Sequence, residues 1–488
     1  MNKNFSKNVL VVLGAFLILE ALSLAGFGFP LINQVVFFVL LIATVVISAY
    51  SLENGLLLVL AELLVGSKGY LFYFQLTDGR MISLRLAMWS VFMLVFLIRV
   101  VRQYLKTGKG FEYGLRLKKF IFWRPFIVLA SFVLLGIISG LIYRNGLINI
   151  FLDVNAWLYF LIILPAVAIN LNVQKLKTLF LAGAVLVGLK TLILLGVFSN
   201  NFVFSDFVYA WLRKTLVGEM TFAGDWNRVF IQSQIFPIIA YFFLFFKTAT
   251  YKKFSDVFHK QNVIKLLLAA LFLSTLLISL SRSFWVAFAG VIFLALILIW
   301  RQYGIKQVLI TILSLIASSS LAVLLIISAT PKMFTSLDNQ LTNRVGNKEE
   351  AALVSRWSLL PELFKEIKKN PVSGQGFGAT VTYVSSDPRV VQNNPDGLYT
   401  TYAFEWGYLD TWLKIGILGL LAYLWLLVVI LKNNNFATLK DSTYFYWGLA
   451  AALVFLAIVN IFTPYLNHPL GIGVVVVSSC LISKDRVY

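Results

Sequence analysis

The chain has 488 residues, 60% of them apolar and 13% charged, with 41 lysines and arginines against 21 acids and a net charge of +20. A soluble domain carries about 45–50% apolar and about 25% charged residues, so a soluble globule, a disordered chain and a disulfide-rich secreted module are all excluded. One cysteine, Cys480, and two histidines, His259 and His468, are too few for an intrachain disulfide or a cysteine or histidine metal site.

A bilayer core about 30 Å thick takes roughly 20 apolar residues per helix. Apolar segments recur near 8–26, 31–50, 54–76, 81–98, 126–143, 155–170, 177–198, 229–246, 264–281, 283–300, 308–328, 408–431, 444–462 and 470–482. The first follows Lys3 and Lys7, the layout of a signal peptide. Further apolar segments come at once, so it reads as an uncleaved span. Glu62 and Lys68 interrupt the third. From Lys265 to Trp300 the chain is apolar except around Ser281-Arg282-Ser283. As one helix that stretch would run roughly 50 Å at about 1.5 Å per residue, too long for one crossing. A hairpin turning at Arg282 is the simpler reading. The expected fold is an all-α, polytopic transmembrane helix bundle of about 12–14 spans.

Basic residues in short loops set orientation, with the cytoplasmic side enriched. With the N-terminus inside, loop 99–124 is cytoplasmic and carries Arg99, Arg102, Lys106, Lys109, Arg116, Lys118, Lys119 and Arg124 against Glu112. Loop 247–265 follows with Lys247, Lys252, Lys253, Lys260 and Lys265. Arg301, Lys306, Lys432, Lys440, Lys484 and Arg486 land inside only if Arg282 turns an outward hairpin. The net charge therefore reads as membrane orientation, facing anionic lipid, and not as a nucleic-acid surface. Both termini are expected in the cytoplasm.

The same parity places the longest polar segment, about 331–407, on the outer side, between a bundle over 1–330 (about eleven spans) and three last spans over 408–488. Its eight basic and eight acidic residues carry no orientation signal, and a loop this long is usually functional. Leu353, Trp357, Leu360, Phe364 and Ile367 recur at helical spacing. They predict an amphipathic helix on the membrane surface, with Lys368 and Lys369 in its last turn and Asn370-Pro371 ending it. A second outer loop, about 199–228, carries Arg213, Lys214, Asp225 and Arg228.

Three residues stand out chemically. Arg282 at a hairpin tip is either a snorkelling interfacial arginine or an anion ligand, for which the guanidinium fork suits phosphate oxygens. Arg356, beside Trp357, either pairs with lipid headgroups or serves the same anion. Glu405, in Tyr402-Ala403-Phe404-Glu405-Trp406-Gly407-Tyr408-Leu409, is either an ion-paired interfacial acid or a general base whose pKa is raised by aromatic surroundings. Gly374-Gln375-Gly376-Phe377-Gly378 follows a surface helix instead of a strand, so a tight backbone-rich turn is favoured over a nucleotide loop. His259, in a basic loop, and His468, before Pro469, read as structural.

Ser281-Arg282-Ser283 at a hairpin, Ser355-Arg356-Trp357, Asn370 through Gly378, and Leu409 followed by Gly416-Ile417-Leu418-Gly419-Leu420 together resemble the C-terminal signature of the O-antigen ligase and polymerase superfamily, over about 265–425. The resemblance implies a membrane glycosyltransferase that moves a glycan from a polyprenyl-diphosphate carrier, such as undecaprenyl diphosphate, to an acceptor hydroxyl or amine at the outer face of the cytoplasmic membrane. The product would be a cell-surface polysaccharide of the lipopolysaccharide kind. The resemblance also implies that Arg282 and Arg356 hold the diphosphate. Eleven residues before Gly416 the family usually has a histidine, and this chain has Glu405.

A sugar diphosphate is already an activated donor, so no metal or cofactor is expected. The site needs cations for the diphosphate and for charge on the departing oxygen, and a base for the acceptor. Arg282, Arg356 and Glu405 are the expected catalytic residues, with Arg213, Lys214 and Arg228 adding to the field. The expected partners are the lipid-linked glycan, membrane lipids and an acceptor that is a glycan, a lipid or a protein. A ligase and a polymerase share this donor chemistry, and a flippase would use outward arginines without forming a bond. Transporters usually carry internal repeats and mid-membrane charges; here the charges gather in the outer loops.

Overall fold

The computed structural model describes residues 3–77, 79–107, 119–169, 171–223, 226–330, 351–434 and 443–487. Lys109, Glu112, Arg116, Lys118, Asp225, Lys440 and residues 331–350 of the long polar segment lie outside the described residues.

The chain opens with α1 (Lys3–Gly28), α2 (Pro30–Tyr50) and α3 (Leu52–Val65), then a hairpin of β1 (Tyr73–Gln75) and β2 (Met81–Ser83). Next come α4 (Leu84–Thr107), α5 (Trp123–Ile142), α6 (Leu147–Trp157), α7 (Ile163–Ala168), α8 (Val173–Ser199) and α9 (Ser205–Lys214). A second hairpin pairs β3 (Gly218–Ala223) with β4 (Trp226–Ile231). It leads to α10 (Ile235–Thr248), α11 (Lys260–Ser279), α12 (Arg282–Tyr303) and α13 (Ile305–Ala329). Beyond residue 350 come α14 (Ala351–Lys369), β5 (Val381–Val384), α15 (Pro388–Asn393) and β6 (Leu398–Thr401), with β5 and β6 antiparallel. Three helices finish the chain: α16 (Gly407–Lys432), α17 (Tyr444–Val459) and α18 (Pro469–Val487).

The fold is an all-α polytopic helix bundle with small hairpins between helices. Among the described residues ten helical segments are long and apolar enough to cross a membrane, and Tyr444–Val459 and Pro469–Lys484 are shorter apolar helices. Two expected spans take another form. In segment 54–76, α3 stops at Val65, where Gly66 caps it, and the chain turns into β1. Glu62, which weakened that segment as a span, is buried against Arg85 at 2.8 Å. In segment 229–246 the first residues belong to β4, and α10 keeps only 14 residues. β-Branched and aromatic residues there satisfy a strand as readily as a helix.

Two compact units interleave along the chain: 1–119, 164–340 and 435–452 form one, and 120–163, 341–434 and 453–488 the other. In the first unit α8 is central, packing against α1, α3, α10, α11 and β4. Lys190 on α8 pairs with Glu20 on α1 at 2.7 Å and lies over the Trp211 ring.

In the second unit α16 packs along α5 and also meets α14, which lies on β5. Leu359, Leu363 and Ile367 of α14 join Ala379, Val381, Phe404 and Leu413 in one apolar cluster. Each large apolar side chain buried this way contributes about 1.5–3 kcal/mol. The amphipathic helix is therefore present, but its protein-facing stripe is Leu359-Leu363-Ile367. Trp357 and Phe364 from the expected stripe stay exposed, at 57% and 38%. Leucines at 359, 360 and 363 make the apolar arc wide, so the spacing alone admits both stripes.

A break in α16 organises this unit. Gly416 has φ +73° and ψ 174°, a conformation that interrupts the helical hydrogen bonds. The N–H groups of Gln375 and Gly376 donate to the carbonyls of Leu413 (2.6 Å) and Lys414 (3.1 Å), and Ile417 N–H donates to Pro371 (3.0 Å). The Gly374–Gly378 loop is thus the backbone-rich turn the sequence suggested, threaded against a transmembrane helix. Phe377 N–H donates to Gly136, and the Phe377 ring is fully buried beside Trp157.

Gly376 has φ +82°, and a β-carbon there would run into the backbone of Gly140 on α5. Left-handed backbone costs an L-residue roughly 1–2 kcal/mol and overpacking typically about 1–3 kcal/mol. Gly376→Ala should therefore lose about 2–4 kcal/mol of stability, read as a lower melting temperature in detergent. Gly14→Ala, with open space around it, should be neutral or slightly stabilising. Equal melting of Gly376→Ala and the parent would disprove the close approach.

Candidate functional site

The helix break predicted at Ser281-Arg282-Ser283 is where α11 ends and α12 begins. Leu280 sits in the left-handed region at φ +45°, a strained choice for leucine. The serines serve the turn: Ser281 N–H donates to Ser279 Oγ at 3.2 Å, and the Ser281 and Ser283 hydroxyls lie 3.1 Å apart. Trp285 Nε1 reaches back to the Leu276 carbonyl at 3.0 Å. Arg282, half-buried, is the first residue of α12, whose first turn carries no acid. A cation there adds to the partial positive charge of the helix N-terminus, an arrangement unfavourable by about 0.3–1 kcal/mol unless an anion answers it.

The structure brings Arg228 to this turn. It lies on β4 opposite Thr221, and its Nε donates to the Ser279 carbonyl at 2.9 Å, at the negative end of α11. Its guanidinium also lies 5.0 Å from the Phe230 ring centre, and Phe230 packs on Phe284 in the first turn of α12. A hydrogen bond from a charged donor is worth about 1.5–3 kcal/mol, enough to offset the strain at Leu280. Arg213 and Lys214 lie exposed in the last turn of α9, with Lys214 5.8 Å from the Tyr73 ring centre.

Arg356 and Glu405 come together in the second unit. Arg356 stands on α14 and Glu405 two residues before α16, and their side chains form an ion pair. Trp406 Nε1 donates to the Arg356 carbonyl at 3.1 Å, and the Trp357 and Trp406 rings meet edge to face at 5.8 Å. The aromatic residues around Glu405 thus brace the pair and leave the carboxylate open: its side chain is 53% exposed and that of Arg356 37%. Phe404, beside it, is the residue that turns inward, at 2% exposure. This differs from the desolvated glutamate expected from the sequence: in this irregular segment Phe404 takes the inward position and Glu405 the open one.

His259 and His468 act as caps, their Nδ1 atoms accepting from Gln261 N–H (3.4 Å) and Leu470 N–H (3.3 Å). Sequence reasoning missed a buried group on the helix that follows Glu405. Lys414 Nζ lies 2.5 Å from Asp153 on α6 and 2.6 Å from Asp410 one turn earlier on α16. The available signal was the Asp410–Lys414 spacing of four inside an apolar run. Among the described residues no cluster of three or more metal-ligating side chains occurs.

A many-span membrane protein with paired cationic and acidic side chains around one polar loop is the class that this geometry defines. Residues 267–424, about a third of the chain, match the family model described as O-antigen ligase. The match runs from α11 into α16 and takes in Arg282, Arg356 and Glu405, while Arg213 and Arg228 precede it. It supports assignment to the O-antigen ligase superfamily and a membrane enzyme of the ligase and polymerase kind. No curated protein matches the chain.

Glu366 ties α14 to the glycine loop: its carbonyl accepts from Gln375 Nε2 at 2.5 Å and its carboxylate at 3.0 Å, while Lys369 pairs with it at 2.7 Å. Partial burial pushes its pKa up, but hydrogen bonds from Lys369 and Gln375 outweigh burial and hold it below the ordinary glutamate value. The folded value being the lower one, its stabilisation is complete above the unfolded pKa of about 4.3. It disappears as pH falls through the depressed folded value. Glu366→Gln should flatten melting temperature against pH below about pH 4.5, while the parent declines more steeply. Parallel curves would remove Glu366 from the acid response.

Proposed function

We propose that the chain is an outward-facing glycosyltransferase of the cytoplasmic membrane that transfers a glycan from a polyprenyl-diphosphate carrier to an acceptor. The observation that carries this reading is the Arg356–Glu405 pair, within the residues matched to the O-antigen ligase family. A carboxylate beside a diphosphate is unfavourable unless a cation screens it, and Arg356 stands against Glu405.

In the proposed reaction an acceptor hydroxyl attacks the anomeric carbon of the donor sugar. The new C–O bond forms as the bond from that carbon to the phosphate oxygen breaks, and the electron pair leaves on the diphosphate. Glu405 takes the hydroxyl proton. Arg282 and Arg356 hold the diphosphate and stabilise its developing charge, with Arg228 and Arg213 adding positive potential. Arg282 lies within the residues matched to that family, as the first residue of α12. Transfer to a lipid or protein acceptor makes the enzyme a ligase, and transfer to another glycan a polymerase. The class of the acceptor is read from product mass after reconstitution with a polyprenyl-linked glycan.

Arg282→Lys and Arg356→Lys should each lose most transfer activity while the protein still inserts. Lysine keeps the charge but loses the planar fork that suits two phosphate oxygens. Normal rates in both variants would mean that charge alone suffices.

Glu405→Gln should slow single-turnover transfer by about a hundredfold or more at saturating donor, the range of general-base catalysis. The amide keeps the shape and a hydrogen bond to Arg356 but takes no proton. Glu405→His should recover part of the rate, since imidazole accepts protons near neutral pH. An unchanged chemical step in the Gln variant, with weakened donor binding, would reduce Glu405 to an ion-pair partner.

A further inference from the structure

Asp153, Asp410 and Lys414 take no part in the chemistry proposed above. Two carboxylates share one ammonium, with side chains 8%, 5% and 2% exposed, on helical segments that qualify as membrane spans. Burying an ion costs several kcal/mol after relaxation, and a well-packed apolar set of equal volume is often as stable or more so. Stability alone therefore does not call for these charges, so what they hold in place is the question.

They hold the glycine loop on one side and the start of α16 on the other. The Lys414 carbonyl accepts from Gly376 N–H, its ammonium meets Asp153 Oδ1, and Asp153 Oδ2 accepts from Gly378 N–H at 2.9 Å. One amide of the glycine loop is thereby fixed to Lys414 directly and a second through Asp153, and that loop follows α14, which carries Arg356. In the other direction Lys414 meets Asp410, whose Oδ2 accepts from Asn467 Nδ2 at 2.7 Å. Asn467 Nδ2 also donates to the Gly407 carbonyl at 3.0 Å, two residues after Glu405. α14 and the start of α16 are also linked by Trp406 Nε1 donating to the Arg356 carbonyl at 3.1 Å, by Trp412 Nε1 donating to the Pro371 carbonyl at 2.8 Å, and by the apolar cluster. Apolar contact is non-directional and tolerates small slides that ion pairs and hydrogen bonds resist.

We infer that Lys414, held between Asp153 and Asp410, is a positioning residue that sets the placement of Arg356 relative to Glu405. The inference rests on the glycosyl-transfer reading for its consequence, since a misplaced pair matters only if the pair acts on substrate. A displacement of about 1 Å at a reacting group costs up to about a hundredfold in rate.

The test uses the full chain in a Cys480→Ser background. One series carries Arg356→Cys and Glu405→Cys and measures how fast a short bifunctional thiol reagent bridges them, which requires no activity. Into it goes the charge-free set Asp153→Asn, Asp410→Asn and Lys414→Met, which should melt at or above the parent temperature. Bridging should slow at least about fivefold. A second series, with Arg356 and Glu405 intact, should lose about tenfold or more in kcat while KM for the donor stays unchanged. If the triple variant does not fold, Asp410→Asn alone, which leaves the neutral Lys414–Asp153 pair, decides by the same readouts. Parent-like bridging or parent-like kcat in a folded variant overturns the inference. Slow bridging in a protein whose parent forms no glycosidic bond supports the positioning and removes the glycosyl-transfer reading instead.

Discussion

A helix that crosses a bilayer has no water to receive the backbone groups that a break sets free. In this protein the break lies at Gly416, ten residues into a 26-residue helix, and the carbonyls of Leu413 and Lys414 are taken up by amides of the glycine loop. Much of the second unit follows from that exchange. The loop has to enter the helical layer to make those bonds, which demands glycine at Gly374, Gly376 and Gly378, all at positive φ. Once inside, it fixes where α14 ends and hence where the Arg356 helix lies. Broken transmembrane helices commonly line polar sites for this reason: irregular backbone at membrane depth is tolerated where protein satisfies it.

Two features of the candidate site were open to sequence reasoning because each contradicts its surroundings. Arg282 interrupts an apolar run too long for one bilayer, and the structure ends one helix and starts another there. The glycine run cannot continue a helix, and it is a turn. Arg356 and Glu405 are 49 positions apart, so their ion pair was invisible until α14 and the start of α16 were folded together. The Asp153–Lys414–Asp410 group escaped for a related reason. Each charge sits alone in an apolar stretch, where hydropathy averaging hides it, and only the i,i+4 spacing of two members leaves a trace. The same averaging read 54–76 and 229–246 as spans, although Gly66 ends one helix early and a strand opens the other segment.

Glu405 is half exposed and ion-paired with Arg356, so it lacks the desolvated surroundings that its aromatic neighbours suggest in sequence. In the proposed reaction Arg356 would meet two anions, a carboxylate and a phosphate, and five donors in a planar fork accommodate both. Lysine, with a single charged nitrogen, has no second edge to offer.

Arg228 illustrates how one residue can serve both fold and field. Its Nε is committed to the Ser279 carbonyl, where it answers the negative end of α11 and helps hold the left-handed Leu280. That commitment fixes its guanidinium beside the start of α12, whose N-terminal end is already positive. The helix that ends and the helix that begins therefore present opposite partial charges at one turn, and Arg228 cancels the first. Arg282 stands at the second of these ends, as the first residue of α12, so the turn that carries it is held by a strand residue 51 positions from Ser279.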